Sequence, residues 1–384
     1  MTFPMEILEQ IFFYIDPVNL TKLRTICKFW KEIIDKILQD YDLWYKKCEE
    51  DIPQNVWSLL FESLYPNKFN YDFENAQENI EIWRNMYKWW MKSKNLTKYN
   101  TSVECLDPIP KHHFQEGITC TAVLENILAI GTSEGYIYFY DLHALDKKPI
   151  YVADHMEFIC KVEFLRNDKK FIAVSSCING HIKFWDFKSK ELINKDRGKL
   201  LCTSHGYCYT TMQSNLIVQG CIPRTSYQFP DDIVAGTADS NKIYFYTEEG
   251  YIINGELTED DEDDFETDFI DPPELSIRHY YMFKTNIAVC ITDHGYLGFS
   301  IRGGNWKFHN TLPTLHGIPT SVLIYAHLLI LGLDSGHICI YYVENYESLD
   351  VTNSILTKRV ILDTEPIISL DISAYLKQYI IAAS

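Results

Sequence analysis

Ile127-Leu-Ala-Ile-Gly-Thr-Ser-Glu-Gly-Tyr-Ile-Tyr-Phe-Tyr-Asp141 reads as an apolar strand, small residues, a turn closing on Gly135, and an aromatic-rich strand. The phrase returns as Phe171-Ile-Ala-Val-Ser-Ser-Cys-Ile-Asn-Gly-His-Ile-Lys-Phe-Trp-Asp186 and Ile233-Val-Ala-Gly-Thr-Ala-Asp-Ser-Asn-Lys-Ile-Tyr-Phe-Tyr246. Two further copies are Ile287-Ala-Val-Cys-Ile-Thr-Asp-His-Gly-Tyr-Leu-Gly-Phe299 and Leu329-Ile-Leu-Gly-Leu-Asp-Ser-Gly-His-Ile-Cys-Ile-Tyr341. With Gly135, Gly180, Asn241, Gly295 and Gly336 as the equivalent turn position, the spacings are 45, 61, 54 and 41 residues. A period of about 40–45 residues, lengthened twice by loop insertions, predicts a β-propeller whose blades each hold four antiparallel strands. Gly or Asn stands at the turn because a short hairpin needs φ > 0 there. A sixth copy begins at Pro366-Ile-Ile-Ser-Leu-Asp-Ile and stops at Tyr379-Ile-Ile-Ala-Ala-Ser384, so the last blade is expected to be incomplete. Missing C-terminal sequence is the favoured reason, with completion by an N-terminal segment such as Tyr99 to Leu106 as the alternative.

Upstream of Glu116 the period is 3.6. Ile7, Leu8, Ile11, Phe12 and Ile15, then Leu20, Leu23, Ile26, Cys27, Trp30, Ile33 and Ile34, recur at helical spacing and predict two or three short amphipathic helices. Pro4 suits a first turn, and Asp16-Pro17 supplies a cap followed by a preset φ. Two more helical patterns run from Val56 to Leu64 and from Asn79 to Met91, the second with Ile80, Trp83, Met86, Tyr87, Trp90 and Met91 on one stripe. Those aromatics are expected to pack between domains. The fold class is thus α+β multidomain: an all-α head over 1–44, a helical connector over 45–115, and an all-β propeller over 116–384.

The 384 residues carry a net charge of −18, of which −3 falls on residues 1–115 and −15 on residues 116–384. A field of that sign repels phosphate backbones and anionic lipid, which argues against nucleic acid and membrane as partners and favours a neutral or basic protein segment. The N-terminus lacks the basic, apolar and small-residue regions of a secretory signal. The longest nearly apolar stretch, Val322 to Leu333, falls short of the ~20 residues a bilayer requires. Eleven cysteines, an odd number with no C-x-x-C pair, read as reduced core thiols. An intracellular chain, cytoplasmic or nuclear or both, is expected.

Residues 3–44, from Phe3-Pro-Met-Glu-Ile-Leu through Asp16-Pro17 and Leu23-Arg-Thr-Ile-Cys-Lys-Phe-Trp30 to Leu43-Trp44, resemble an F-box. Phe3 and Ile26 stand where that family usually has Leu and Val. The five phrases resemble degenerate WD repeats, with Trp185-Asp186 the only Trp-Asp pair and Tyr140-Asp141 its nearest relative. The combination resembles the F-box/WD-repeat family. The resemblance implies a substrate-recognition subunit of an SCF-type cullin-RING ubiquitin ligase, which binds a Skp-type adaptor, and through it cullin, by its F-box. The propeller would hold the substrate protein for ubiquitination. Carried over, the adaptor face should include Pro4, Ile7, Leu8, Ile11, Phe12, Leu20, Leu23, Ile26, Cys27 and Trp30, some of which must instead pack the F-box interior. The alternative is a non-catalytic scaffold that assembles without cullin.

No G-x-G-x-x-G, Walker loop, G-x-S-x-G or H-E-x-x-H occurs, so neither catalysis nor a cofactor or metal is expected. Cys202-Thr-Ser-His205-Gly-Tyr-Cys208 offers three soft ligands but no clear fourth, and reads as blade residues. His112-His113 reads as a polar linker pair, and His155 with Trp185 as the buried His-to-Trp network of WD repeats. The hairpin tips Glu134, Asn179, Asp239, His294 and Asp334 are the substrate-face candidates. None is basic, whereas phosphate reading needs clustered Arg; Arg197 and Lys199 are the only basic pair expected nearby. Residues 256–271 hold ten acidic residues in sixteen and no basic one. They are expected to form a disordered insertion on the tip face, with Phe265, Phe269 and Ile270 as a possible linear binding element.

Overall fold

The computed structural model describes residues 4–65, 79–98, 102–103, 106, 117–145, 148–167, 170–204, 206–220, 225–229, 231–239, 242–256, 264–284, 286–353, 356–362, 364–373 and 379–384. The chain divides into two compact units, Met1–Asn95 and Leu96–Ser384.

The first unit is helical: α1 Met5–Phe13, α2 Pro17–Leu23, α3 Lys28–Asp40, α4 Leu43–Asp51, α5 Trp57–Leu64 and α6 Ile80–Lys94. The Asp16 carboxylate accepts the Val18 N–H at 2.8 Å and Pro17 opens α2, as that dipeptide predicts. Ile33, Ile34 and Ile37 form the buried stripe of α3, which packs against α1 and α2. Phe12 meets Trp30 edge-on at 5.1 Å, tying α1 to the start of α3. In α6, Trp83 is fully buried, 5.2 Å from Trp57 and 5.0 Å from Tyr45, and Tyr87 stacks at a tilt 5.7 Å from Trp44. Trp83 and Tyr87, expected between domains, therefore fill the interior of this unit. Helix α4 begins at Leu43 and packs on α2, α3 and α6, so head and connector helices share one core.

The second unit is a propeller of six four-stranded antiparallel blades and one two-stranded sheet. Blade 1 runs from Ile118–Leu124 to Tyr151–Asp154, blade 2 from Ile159–Asn167 to Glu191–Arg197, and blade 3 from Lys199–Thr203 to Thr225–Gln228. Blade 4 runs from Ile233–Asp239 to Asp264–Phe269, blade 5 from Ile277–Phe283 to Lys307–Asn310, and blade 6 from Pro319–Tyr325 to Lys358–Ile361. Neighbouring blades meet largely through their first strands, which makes these the inner ones. The sheet of Ser369–Ser373 and Tyr379–Ala383 lies between blades 6 and 1. Thr121 Oγ1 is 2.8 Å from Ser369 Oγ, the Val123 N–H donates to Asp371 Oδ2 at 2.7 Å, and Ser373 Oγ donates to the Glu125 carbonyl at 2.8 Å. On the other side Ser321 Oγ donates to the Ile367 carbonyl at 2.7 Å. The two-stranded sheet thus joins the last four-stranded blade to the first. Tyr99 lies outside the described residues; Leu106 is described and packs beside Ile381 against the outer core of blade 1.

Two readings of the sequence are corrected. The 61-residue interval hides a whole blade, residues 199–228, whose middle turn falls at Gln213-Ser214 and carries no glycine; Gln213 itself takes φ +56°. In blade 4 the phrase begins on the first strand instead of the second. The residue equivalent to Gly135 is therefore Gly250 and not Asn241: both donate their N–H to the residue three back and sit at φ +92° and +101°. A side chain at Gly135 would put Cβ 2.4 Å from the Glu157 nitrogen, so only Gly closes that turn.

The acidic segment is also redefined. Its second half, Asp264–Phe269, is the outer strand of blade 4, paired with Tyr251–Glu256 so that Glu256 faces Asp264. Phe265 packs edge-on against Tyr227 and Phe229 of blade 3, at 5.1 and 5.7 Å, and Ile270 is buried. Phe265 and Ile270 are held by the fold, while Phe269 stays exposed beside Tyr251. Residues 257–263 lie outside the described residues.

Candidate functional site

The helical unit divides the sequence-derived adaptor residues into two sets. Leu8, Phe12 and Leu20 are buried among α1, α2 and α3. Pro4, Ile7, Ile11, Ile26 and Cys27 are exposed, and Leu23 and Trp30 half-buried. Cys27 has a structural task as well, since its sulfur caps α3 by accepting the Trp30 N–H at 3.5 Å. Pro4, Ile7, Ile11 and Tyr14 follow one another at spacings of three and four along α1, a single stripe facing solvent. Met5, Phe29 and Ile26 add further exposed apolar area. A helical surface that exposes this many large apolar side chains has the character of a protein-docking patch.

On the propeller, the turn between the second and third strands of each blade and the connection to the next blade emerge on one face. Glu134, Asn179, His294 and Asp334 stand on those turns and are exposed. Asp239 does not join them: it ends the first strand of blade 4, where the chain turns back at the opposite edge. The two turns missed in the sequence add Gln213-Ser214 and Glu248-Glu249 to the tip face, again without a basic residue. Arg197 and Lys199 do lie on it, flanking Gly198, whose N–H donates to the Gly180 carbonyl at 2.8 Å. The acidic hairpin is placed differently from expectation. Glu256 and Asp264 pair at the edge away from the tips, so the described part of the segment leaves and re-enters its strands there and not on the tip face.

The described cysteines are free thiols. Cys202 and Cys208, weighed above as soft ligands, pack into separate apolar clusters, and burial drives both thiols upward in pKa. His205, like His112 and His113, lies outside the described residues. The His-to-Trp network is formed from Trp185 Nε1 to Ser175 Oγ at 2.9 Å, but neither ring nitrogen of the buried His155 reaches a partner. No helix among the described residues is long and apolar enough to cross a membrane.

A model of the F-box-like family matches residues 2–50. Among curated proteins none matches the chain. Solved structures similar to it include the WD40 repeats of RRP9, at 14% identity over 68% of this chain and 85% of that one with a TM-score of 0.50. Another is U3-55K, at 14% identity over 68% and 86% with a TM-score of 0.51. The chain therefore carries an F-box-like head followed by a WD40-type propeller. That pairing is the architecture of a substrate-recognition or interaction protein.

Proposed function

We propose that the chain is the substrate-recognition subunit of an SCF-type cullin-RING ubiquitin ligase. The observation that carries this reading is the division of the F-box-like helices into a buried set, Leu8, Phe12 and Leu20, and an exposed apolar stripe, Pro4, Ile7, Ile11 and Ile26. The stripe binds a Skp-type adaptor, and the adaptor brings cullin. The propeller performs no bond chemistry; it holds a substrate protein near a charged conjugating enzyme and so raises effective concentration. The acid-rich tip turns favour a neutral or basic substrate segment over a phosphorylated one, because phosphate needs clustered guanidinium groups that those turns do not offer. The ligase reading carries with it an intracellular chain, in cytoplasm, nucleus or both, and the free thiols of the described cysteines are in keeping with it.

The test is co-purification of adaptor and cullin with the full chain and with an Ile7→Asp, Ile11→Asp variant. Both partners should be present with the first and absent from the second, while the propeller's β signal in circular dichroism is unchanged. Adaptor without cullin on the intact chain would replace the ligase reading by that of a scaffold.

A further inference from the structure

Where blade 1 passes into blade 2, four metal-ligating side chains converge on the tip face. His155 and Glu157 come from the connection between the blades, and Cys177 and His181 flank the blade 2 turn that carries Asn179. One ligand atom each from His155, Glu157 and Cys177 all lie within 4.8 Å of one another. His181 Nδ1 is 3.0 Å from Glu157 Oε2, and Cys177 Sγ is 2.6 Å from the same oxygen. His155 is 2% exposed, and neither of its ring nitrogens finds a hydrogen-bond partner, although two nitrogens buried away from water carry a substantial desolvation cost. The backbone N–H of His181 donates to Cys177 Sγ at 3.3 Å and fixes the sulfur's position beside Glu157.

We infer that His155, Glu157, Cys177 and His181 form a binding site for a divalent cation of the zinc class. The donor set selects the ion: one sulfur, two imidazoles and one carboxylate suit zinc or cobalt and are foreign to magnesium and calcium. Charge balances, since a thiolate and a carboxylate supply two negative charges. Metal–ligand bonds of about 2.0–2.3 Å set tetrahedral donors about 3.5 Å apart, a spacing close to that of His155, Glu157 and Cys177, with His181 joined to the group through Glu157. In the metal-free chain the Cys177 proton bridges sulfur and Glu157. The cation replaces it, forming a metal–sulfur bond as the S–H bond breaks and the proton leaves to solvent. Lys183 donates to the His155 carbonyl at 2.9 Å, so its ammonium is held by the backbone of the same connection. His181 and Glu157 are partly exposed, which gives the ion an entry path. Such a site would clamp the blade 1 to blade 2 connection beside the tip Asn179 and stiffen that part of the tip face.

The test uses the full chain, stripped with chelator and titrated with cobalt and then zinc. One equivalent of cobalt should give a thiolate-to-cobalt charge-transfer band with strong visible bands, zinc should displace it, and proton release should accompany binding. Cys177→Ser should abolish the band and weaken zinc binding at least about tenfold, as should Glu157→Gln and His181→Ala. Cys160→Ser, at an exposed thiol outside the cluster, should change nothing. Should Cys177→Ser fail to fold, the half-exposed His181 carries the test. Absence of the charge-transfer band in folded, cobalt-treated chain, or zinc affinity unaltered in folded Glu157→Gln or His181→Ala, overturns the assignment.

Discussion

Replacing Ile7 and Ile11 together by Ala separates docking from folding, because the structure assigns neighbouring residues of α1 to opposite tasks. Ile7 and Ile11 are 43% and 45% exposed, whereas Leu8 and Phe12 are 7% and 2% exposed. Complete burial of an Ile side chain is worth about 1.5–3 kcal/mol. A partner that covers the remaining half of each therefore gains about 1 kcal/mol per residue, or about 2 kcal/mol for the pair, which is roughly a 30-fold change in Kd. The same pair contributes little to the helical core, so the thermal midpoint should move little. Leu8→Ala should behave in reverse, costing about 2–5 kcal/mol of stability through the cavity it leaves. The assay is a titration of purified adaptor against each full-length variant, read beside urea unfolding. If the double Ala variant binds adaptor within threefold of the parent while remaining folded, the exposed stripe is not the docking surface and the reasoning fails.

Asp371→Ala removes the acceptor of the Val123 N–H that ties the two-stranded sheet to blade 1, and should cost about 2 kcal/mol in urea unfolding, as for a hydrogen bond to a charged group. An unchanged midpoint would mean that ring closure does not depend on that bond. Phe265→Ala, which empties the contact with Tyr227 and Phe229, should destabilise the propeller by about 2 kcal/mol, whereas a free linear element would show no such cost. Asp51 accepts from Tyr87 Oη at 2.7 Å and pairs with Lys47 at 3.1 Å; although burial pushes its pKa up, these two partners outweigh it and hold the carboxyl below the usual range. Its contribution is then present above the ordinary aspartate pKa and lost as pH falls through the lowered value. The stability gap to Asp51→Asn should accordingly close on acidification, and a gap independent of pH below 5 would contradict the assignment.

Much of this was legible because periodicity is a local property. Helical spacing in the head and period 2 in the body survive any tertiary arrangement. The division of the F-box-like residues was not legible: Ile7 and Leu8 are adjacent and equally apolar, and only the packing of α3 decides which is covered. Blade 3 escaped because its middle turn uses Gln213 at positive φ in place of glycine, leaving an interval that resembled one blade with a long loop. The outer strand of blade 4 escaped because it has no alternation to read: Phe265 packs on blade 3 while Glu266, Thr267, Asp268 and Phe269 are all exposed. The ligand cluster was invisible for a topological reason. Glu157 and Cys177 are 20 residues apart, and only the contact between a blade connection and the next blade's turn brings them together.

The position of the strand ends Glu256 and Asp264 decides what their charge can do. Glu256 and Asp264, paired at the edge opposite the tips, are separated from a substrate on the tip face by the length of the blade 4 strands, such as the six residues of Tyr251–Glu256. Six residues of strand span about 20 Å, two Debye lengths or more at physiological ionic strength. The acidity a substrate meets there comes from Glu134, Glu248, Glu249, Asp293 and Asp334 on the turns themselves. Replacing Glu256 by Gln and Asp264 by Asn should therefore leave the affinity for a basic substrate segment within about twofold at physiological salt, while Glu248→Gln with Glu249→Gln should weaken it and flatten its salt dependence. The opposite result, loss of affinity with the Glu256 and Asp264 substitutions and none with the two turn substitutions, would move the substrate to the other face of the propeller.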